Sequence, residues 1–136
     1  MIVNANGGEL TAGLALHDVL RRCVAPVATV CFGEAAGVAV LALAGGARGR
    51  RFMSPDARAR LELGRVETAG RAVDIEAWAH ELEELTFRFA RALADDSGRH
   101  VEEVEHDLHR GRVLDARSAV DYGIVDGVLE TGERLT

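Results

Sequence analysis

The feature that most constrains the fold is an apolar stretch at residues 27–46, with the sequence VATVCFGEAAGVAVLALAGG. Its first part is rich in β-branched residues, a glycine follows at Gly33, and its second part is rich in alanine. Side chains of this kind predict a buried strand, a sharp turn at Gly33 and a tightly packed, buried helix. A strand-turn-helix holds the residue at the start of its helix in a fixed pose, and that residue is Gly37.

The length and charge of the chain limit the kinds of protein it can be. A chain of 136 residues can bury one core, so we expect a single domain over residues 1–136 with a loose tail from about residue 130. The net charge of −6 argues against a nucleic-acid partner, and no apolar run reaches membrane length. Cys23 and Cys31 are predicted to be buried, reduced thiols. We therefore expect a cytoplasmic protein without a membrane partner, a cofactor or a metal site.

The segment around Gly37 resembles a known catalytic turn. The sequence GEAAG at residues 33–37 is similar to Gly-Gln-Ala-Ala-Ser in the nucleophile turn of the Clp protease proteolytic subunits. The resemblance places the family's nucleophilic serine on Gly37, its catalytic histidine on Glu62 and its catalytic aspartate on Gly111. Because glycine has no side chain that could attack a peptide, and because a triad acts as a unit, the resemblance implies that this chemistry is lost.

A second resemblance lies near the start of the chain. The sequence NANGGELTAGLALHD at residues 4–18 is similar to the family's Asn-Ser-Pro-Gly-Gly motif and the helix after it. In that family the amides of the paired glycines form the oxyanion hole, which implies that Gly7 and Gly8 keep an oxyanion-hole-like backbone. Two glycines can equally make only a tight turn, so both interpretations stay open.

The strongest periodic signal lies between residues 74 and 94. Apolar residues recur there at steps of three and four, which predicts a helix of about six turns. They are Ile75, Trp78, Leu82, Leu85, Phe89 and Leu93. Asp74 is the predicted N-cap. A helix this long cannot be covered by so small a domain, so either one end projects or another chain covers it. Whether Trp78 and Phe89 belong to the core or to an interface stays open.

Two parts of this region resemble the assembly elements of the family. Asp74, Ile75 and Glu76 match the start of its handle helix, through which two rings of subunits stack. This resemblance implies an oligomer interface at Asp74, Ile75 and Trp78. Arg110 matches an arginine that joins ion pairs between stacked rings, and it is counted with that interface.

The C-terminal segment extends the resemblance over nearly the whole chain. Residues 116–126 match the family's Ala-x-Glu-Ala-x-x-Tyr-Gly-Leu-Ile-Asp signature, and Asp115 is the predicted cap of a helix that ends at Gly123. The resemblance implies an α/β fold of the Clp protease and crotonase type, a spiral of strand-strand-helix units with a projecting long handle helix. The chain begins at the oxyanion loop, so docking of an unfolding ATPase is not expected.

The resemblance implies a catalytically inactive homologue of the ATP-dependent Clp protease proteolytic subunit, which assembles with itself or in mixed rings with active Clp subunits. An alternative, by analogy of fold, is a crotonase-like enzyme acting on acyl-thioesters with Glu34 and Glu62 as acid and base. Those glutamates can equally be solvated or paired with nearby arginines. A further alternative is a serine endopeptidase of the same family with unrecognised catalytic residues, for which the chain offers Ser54, Ser97 and Ser118.

Overall fold

The computed structural model describes residues 1–63 and 72–134, so the end of the predicted tail, residues 135–136, lies outside the described residues. The strands in the described part are Ile2–Ala5 (β1), Thr29–Ala36 (β2), Arg51–Met53 (β3), Arg58–Leu61 (β4), Arg112–Asp115 (β5) and Gly127–Val128 (β6). The helices are Leu10–Arg22 (α1), Val38–Ala44 (α2), Ala72–Ser97 (α3), Val101–Arg110 (α4) and Ala116–Tyr122 (α5). The chain is therefore a mixed α/β protein.

Strand β2 is the centre of the sheet. It pairs in parallel with β1, and also with β3 through its first residues and with β4 through its last. Strand β6 adds in parallel to β3, and β5 adds antiparallel to β4. Because β2 passes from one neighbour to another along its length, the sheet curls, and β5 and β6 lie at the ends of the order β5-β4-β2-β3-β6.

The predicted turn at Gly33 is wrong. Strand β2 runs through Gly33, whose φ is 74°, and continues to Ala36. The turn lies at Gly37, directly before α2. Pairing with β1 and β4 keeps the chain extended beyond Gly33, and these are non-local contacts that the local sequence does not show.

The predicted buried helix is confirmed as α2. Every residue of it after Val38 is buried. Helix α1 lies very close to it, because a Cβ atom added at Gly13 would be only 2.5 Å from Cβ of Val38. Glycine at this position therefore lets the two helices approach each other more closely than any other residue would.

Helix α3 contains the predicted long amphipathic segment but begins earlier than expected. Its first described residue is Ala72, so Asp74 lies in the first turn and is not the N-cap. A carboxylate in the first turn still interacts favourably with the helix dipole. Gly98, with φ 74°, follows its last residue, and the Gly98 N–H donates to the carbonyl oxygen of Ala94 at 2.9 Å.

The predicted caps of α5 are confirmed. The Asp115 carboxylate accepts a hydrogen bond from the Ser118 N–H at 2.8 Å, and this bond lowers the pKa of Asp115. Gly123 ends the helix in the left-handed conformation. Tyr122, the last residue of α5, is buried, and its hydroxyl donates to the carboxylate of Asp107 in α4 at 2.9 Å. The α4 and α5 helices are thus joined through a buried polar contact.

Asp126, the last residue of the C-terminal signature, binds a residue of the sheet. Asp126 makes a bidentate ion pair with Arg51 in β3, with Oδ1 at 2.7 Å from Nη2 and Oδ2 at 3.0 Å from Nε. The guanidinium beside it holds the pKa of Asp126 below its usual value. Arg51 is 4% exposed and also donates to the carbonyl oxygens of Ala44 and Asp96. One buried cation therefore connects β3 with the ends of α2 and α3 and with the loop before β6.

The two cysteines have different environments. Cys31 in β2 is buried as predicted, and burial raises the pKa of its thiol to about 11. The prediction for Cys23 is wrong, because this residue follows the last turn of α1 and is exposed.

No helix in the described part of the chain combines the length and apolar character needed to cross a membrane.

Candidate functional site

The turn between β2 and α2 is made by one glycine. Gly37 has φ 58° and ψ −130°, a backbone conformation that other residues adopt only with strain. Its N–H donates to the carbonyl oxygen of Arg60 at 3.1 Å, which ties the turn to the end of β4. Sharp strand-to-helix turns of this kind present the nucleophile in many hydrolases. Here the residue at the turn has no side chain.

Space for a small side chain is present at Gly37. A Cβ atom added there would lie 3.6 Å from the carbonyl oxygen of Glu62 and 3.8 Å from Cα of Gly7. Both are ordinary van der Waals distances, so only the backbone conformation opposes a larger residue. Two other predicted site positions, Glu62 and Gly7, are therefore direct neighbours of Gly37.

The pairing of β4 with β5 places Gly111, the third of the positions that resemble the catalytic triad, near Glu62. The last antiparallel pair of these strands is Leu61 opposite Arg112. One further step in the same register places Glu62 opposite Gly111. Gly111 ends α4 with φ 65°, and a Cβ atom added there would meet no atom within 4 Å. Gly37, Glu62 and Gly111 therefore lie around the same end of β4.

The chemistry available at these three positions is limited. Glu62 is half-buried and is the only one of them with a side chain. A carboxylate can accept a proton, but Gly37 offers no hydroxyl or thiol for it to activate, and Gly111 offers no acid to orient a base. These three positions therefore offer one carboxylate, and neither a nucleophile nor a second acidic group.

The paired glycines lie against the start of α2. Gly7 and Gly8 have φ values of 145° and 158°. A Cβ atom at Gly8 would lie 2.9 Å from Cγ2 of Val38, so the contact needs a residue without a side chain. Both glycines therefore lie near Gly37. In a hydrolase, the donors of an oxyanion hole also lie close to the nucleophile.

Glu9 lies next to the paired glycines and has a structural role that the sequence did not predict. Its carboxylate oxygens accept hydrogen bonds from the N–H groups of Thr11 and Ala12 at 2.9 and 2.8 Å, so Glu9 is the N-cap of α1. These two backbone bonds lower the pKa of Glu9. Glutamate is rarely an N-cap, because its longer side chain must fold back, and for this reason the local sequence gave no clear signal. A negative charge is thus held directly beside Gly8.

The structure separates the two glutamates of the acyl-thioester alternative. Glu34 forms an ion pair with Arg60, with Oε1 at 3.1 Å from Nη2, on the partly exposed surface between β2 and β4. The ion pair agrees with one of the two non-catalytic roles that the sequence allows for Glu34, pairing with a nearby arginine. Glu62, by contrast, has its backbone carbonyl oxygen beside Gly37.

The predicted interface residues lie at or near the surface in two places. Asp74 and Ile75 are in the first turns of α3, where Ile75 is 40% exposed, and Trp78 follows as a half-buried residue. Arg110 is exposed at the end of α4, directly before Gly111. The first half of α3 thus presents apolar side chains that its own fold covers only in part.

A groove connects this half of α3 with the glycine turn. It has a volume of about 250 Å³. Its walls include Gly8 and the first residues of α1, together with Leu63, Trp78, Leu82 and Leu85. A groove beside the paired glycines, lined by both apolar side chains and the acidic residues Glu9 and Glu81, is therefore bordered by one of the residues predicted for the interface.

The described residues contain no group of three or more histidine, cysteine, aspartate or glutamate side chains placed to hold a metal ion.

Comparison with known proteins identifies the family of this chain. The model of the family described as Clp protease matches residues 1–132. The match includes the glycine turn, the strand-to-helix turn at Gly37, the long helix and the C-terminal signature with Tyr122 and Asp126. Because it extends over almost the entire chain, it shows more than a shared local motif, and the chain belongs to the Clp protease family.

Proposed function

We propose that this protein is a catalytically inactive member of the Clp protease family that acts by assembling, either with itself or in mixed rings with catalytically active Clp subunits. The observation that carries the proposal is the turn at Gly37. Its backbone has the conformation of a nucleophile-bearing turn, and it lies beside Glu62 and Gly7, yet it offers no nucleophile. A chain with this turn and without a nucleophile is better suited to a structural role than to peptide hydrolysis.

The assembly part of the proposal is supported by the first half of α3. Ile75 is 40% exposed and Trp78 is half-buried, and both lie on the apolar stripe of a 26-residue helix. Apolar side chains left open at regular helical spacing are typical of a surface that another chain covers. We interpret this half of α3 as a projecting handle, with Asp74 at its start and Arg110 as a charged residue of the same interface.

The native mass of the protein tests the assembly role directly. We expect light scattering or native mass spectrometry to give a ring-sized oligomer for the chain alone, or a mixed assembly with the catalytic Clp subunit of its own host. The variant Trp78→Ala should lower the assembled fraction. The matched control is Phe87→Ala, because Phe87 lies in the same helix, is 46% exposed and is outside the apolar stripe. A monomer that does not bind the catalytic subunit would contradict the proposal.

The inactive part of the proposal can be tested by restoring the missing groups. We expect the wild-type protein not to react with a fluorophosphonate probe, and the triple variant Gly37→Ser, Glu62→His, Gly111→Asp to be labelled at residue 37. The control is Gly98→Ser, since Gly98 also has a positive φ and open space around it. Labelling of the wild-type protein would show a serine nucleophile elsewhere and would support the endopeptidase alternative.

A second candidate function is favoured only by the position of Glu62. Its carbonyl oxygen lies next to Gly37, so Glu62 is the titratable residue nearest to the turn where a crotonase-like enzyme would need an acid or base. Turnover of an acyl-thioester that is lost in Glu62→Gln would establish this function. The Glu34–Arg60 ion pair disfavours a two-glutamate mechanism, because it holds the Glu34 carboxylate against an arginine on the partly exposed surface.

A further inference from the structure

Strand β1 has one free edge. Among the described residues it pairs with β2 and with no other strand. The carbonyl oxygen of Met1 accepts a hydrogen bond from the Val30 N–H at 3.0 Å, so the backbone groups of Met1 and Val3 face β2. Because alternate residues of a strand turn their N–H and C=O groups to opposite sides, those of Ile2 and Asn4 face away from β2. In the described part of the chain no backbone group bonds to this outer side.

The sequence of β1 does not protect this edge. The strand, IVNA, contains neither a charged residue nor a proline, which are the residues that commonly block an exposed sheet edge. The register shift between Val3 and Ala5 places its extra residues in β2, so β1 itself stays continuous. Met1 and Ile2 are 42% and 64% exposed. The edge is therefore apolar and open to pairing with a further strand.

Helix α1 continues the apolar surface beside this edge. Ala12, Leu16 and Val19 are exposed and follow one another at steps of four and three, so they share one face of the helix. Leu16 is 41% exposed and Val19 is 58% exposed. A cleft of about 350 Å³ lies between β1 and α1, and Val38 and Ala39 of α2 also line it. We call the outer edge of β1, this cleft and the exposed face of α1 the β1–α1 surface.

The charges of α1 indicate which partner fits this surface. The helix connects the parallel strands β1 and β2, so it runs in the opposite direction to both. It begins at the carboxylate of Glu9 and has Arg21 and Arg22 in its last turn. If a second α1 lies alongside it in the opposite direction, each Glu9 lies toward the arginines of the other helix. A second copy of the chain thus has complementary charges at both ends of the contact.

We propose that a second copy of this chain covers the β1–α1 surface, with the two β1 strands paired antiparallel across a two-fold axis. Ile2 of one copy then lies opposite Asn4 of the other, and each of the two such pairs exchanges two main-chain hydrogen bonds. The two α1 helices lie side by side on one face of the joined sheet and cover Leu16 and Val19. The contact is isologous, as in most homodimers.

This contact rests on the proposed assembly role, but it is separate from the surface of α3 that carries Trp78. It is therefore tested by sedimentation equilibrium of the full chain in a Trp78→Ala background, where the contribution of that surface is removed. We expect a monomer–dimer equilibrium with a Kd of about 10 μM, because the paired segment is short and the interface is small.

The main variant is Ile2→Pro, added to that background. Proline removes the outward N–H and the exposed apolar side chain at position 2 but leaves the bonds of Met1 and Val3 to β2 in place. We expect the Kd of the dimer to rise by about tenfold or more. Ile2→Val keeps the N–H and a β-branched side chain, and Val113→Ala changes a residue that is 46% exposed in β5. Both controls should leave the Kd within about twofold.

Amide hydrogen exchange tests the strand pairing without a change at the edge. We expect the N–H groups of Ile2 and Asn4 to exchange about tenfold more slowly when the protein concentration is raised from below the Kd to well above it. The control is the N–H of Asp56, an exposed residue between β3 and β4, whose exchange should not depend on concentration.

A charge reversal tests the orientation of the helices. Arg22→Glu places a carboxylate near Glu9 of the other copy and should raise the Kd by about threefold or more at low salt. Arg117→Glu reverses another exposed arginine and is the control.

The inference is overturned if the Trp78→Ala protein stays monomeric well above 10 μM, about the expected Kd, if Ile2→Pro dimerises as tightly as Ile2→Val, or if the Ile2 and Asn4 amides exchange equally fast in monomer and dimer. These outcomes leave the assembly through Trp78 untouched. A dimer that responds to Ile2→Pro in a protein whose mass does not depend on Trp78 would instead contradict the handle interface and support this one.

Discussion

The two halves of α3 carry the same sequence pattern and have opposite environments. In the second half, Phe89, Ala90 and Leu93 are fully buried. In the first half, Ile75 is 40% exposed and Trp78 is half-buried, although both continue the same spacing of three and four residues. Helical periodicity therefore predicts which residues share a face, but the neighbouring elements decide whether that face is buried.

The polar contacts show the same difference. The second half of α3 receives hydrogen bonds at its end from Arg48 to the carbonyl oxygen of Asp95 and from Arg51 to that of Asp96, and the Asp96 side chain binds His17. The first half has one marginal ion pair of its own, His80 with Glu84 at 4.0 Å, within the described residues. The second half of α3 is thus held to the rest of the fold by buried contacts, whereas the first half lies at the surface.

The largest effect that tests this comparison is expected from Phe89→Ala. Removal of a fully buried aromatic ring leaves a cavity, so the free energy of unfolding should fall by about 3–5 kcal/mol, as measured by urea denaturation. Phe87→Ala is the matched control, because Phe87 lies two residues away and is 46% exposed, and it should change stability by less than about 1 kcal/mol. Equal losses in the two variants would contradict the assignment of the core side of α3.

A smaller effect is expected from Asp126→Asn, which weakens the ion pair between β3 and the loop before β6. Arg51 would remain buried without its carboxylate partner, so stability should fall by about 3 kcal/mol at neutral pH. Asp18→Asn is the control, since its ion pair with Arg22 is highly exposed and should contribute less than about 1 kcal/mol.

The same ion pair predicts a pH dependence. The folded-state pKa of Asp126 is lowered, chiefly by its hydrogen bond from Arg51. Its contribution to stability is therefore complete above the pKa of the unfolded chain and is lost as the pH falls through the lower folded-state value. Urea midpoints measured from neutral pH into the acid range should converge for the wild type and Asp126→Asn. A difference that stays constant at low pH would refute this explanation.

The smallest change in stability is expected from Trp78→Ala in the first half of α3. Trp78 is only half-buried, so we expect the free energy of unfolding to fall by about 1 kcal/mol, less than for Phe89→Ala. If another chain covers this surface, the native mass should nevertheless change more in Trp78→Ala than in Phe89→Ala at temperatures where both are folded. A loss of stability as large as that of Phe89→Ala would show that both halves of α3 belong to one core.

Local signals accounted for much of the fold. The Asp115 cap, the Gly123 stop and the burial of α2 follow from residues within a few positions of each other, and all three predictions are confirmed. Strands β4 and β5 gave no such signal, because short segments such as RARL and RVLD become strands only by pairing with neighbouring strands. The same reason explains the wrong turn at Gly33, where pairing of β2 with two neighbours keeps the chain extended.

The candidate site shows a similar division. The resemblance identified Gly37, Glu62 and Gly111 as corresponding positions, and the β4–β5 register and the Gly37 turn bring them together. The roles of these residues and of the predicted interface remain predictions. The His17–Asp96 pair could not be predicted, because its members are 79 residues apart and the resemblance assigned no role to either of them.

The sequence by itself determined the family, the long amphipathic helix, the caps of α5 and the absence of a side chain at position 37, because each depends on residue identity or on short-range spacing. The tertiary structure decided where β2 ends, which half of α3 is buried, that Glu34 pairs with Arg60, and that His17 pairs with Asp96. The physical reason is that burial, strand pairing and ion pairing depend on residues that are distant along the chain and meet only when it folds.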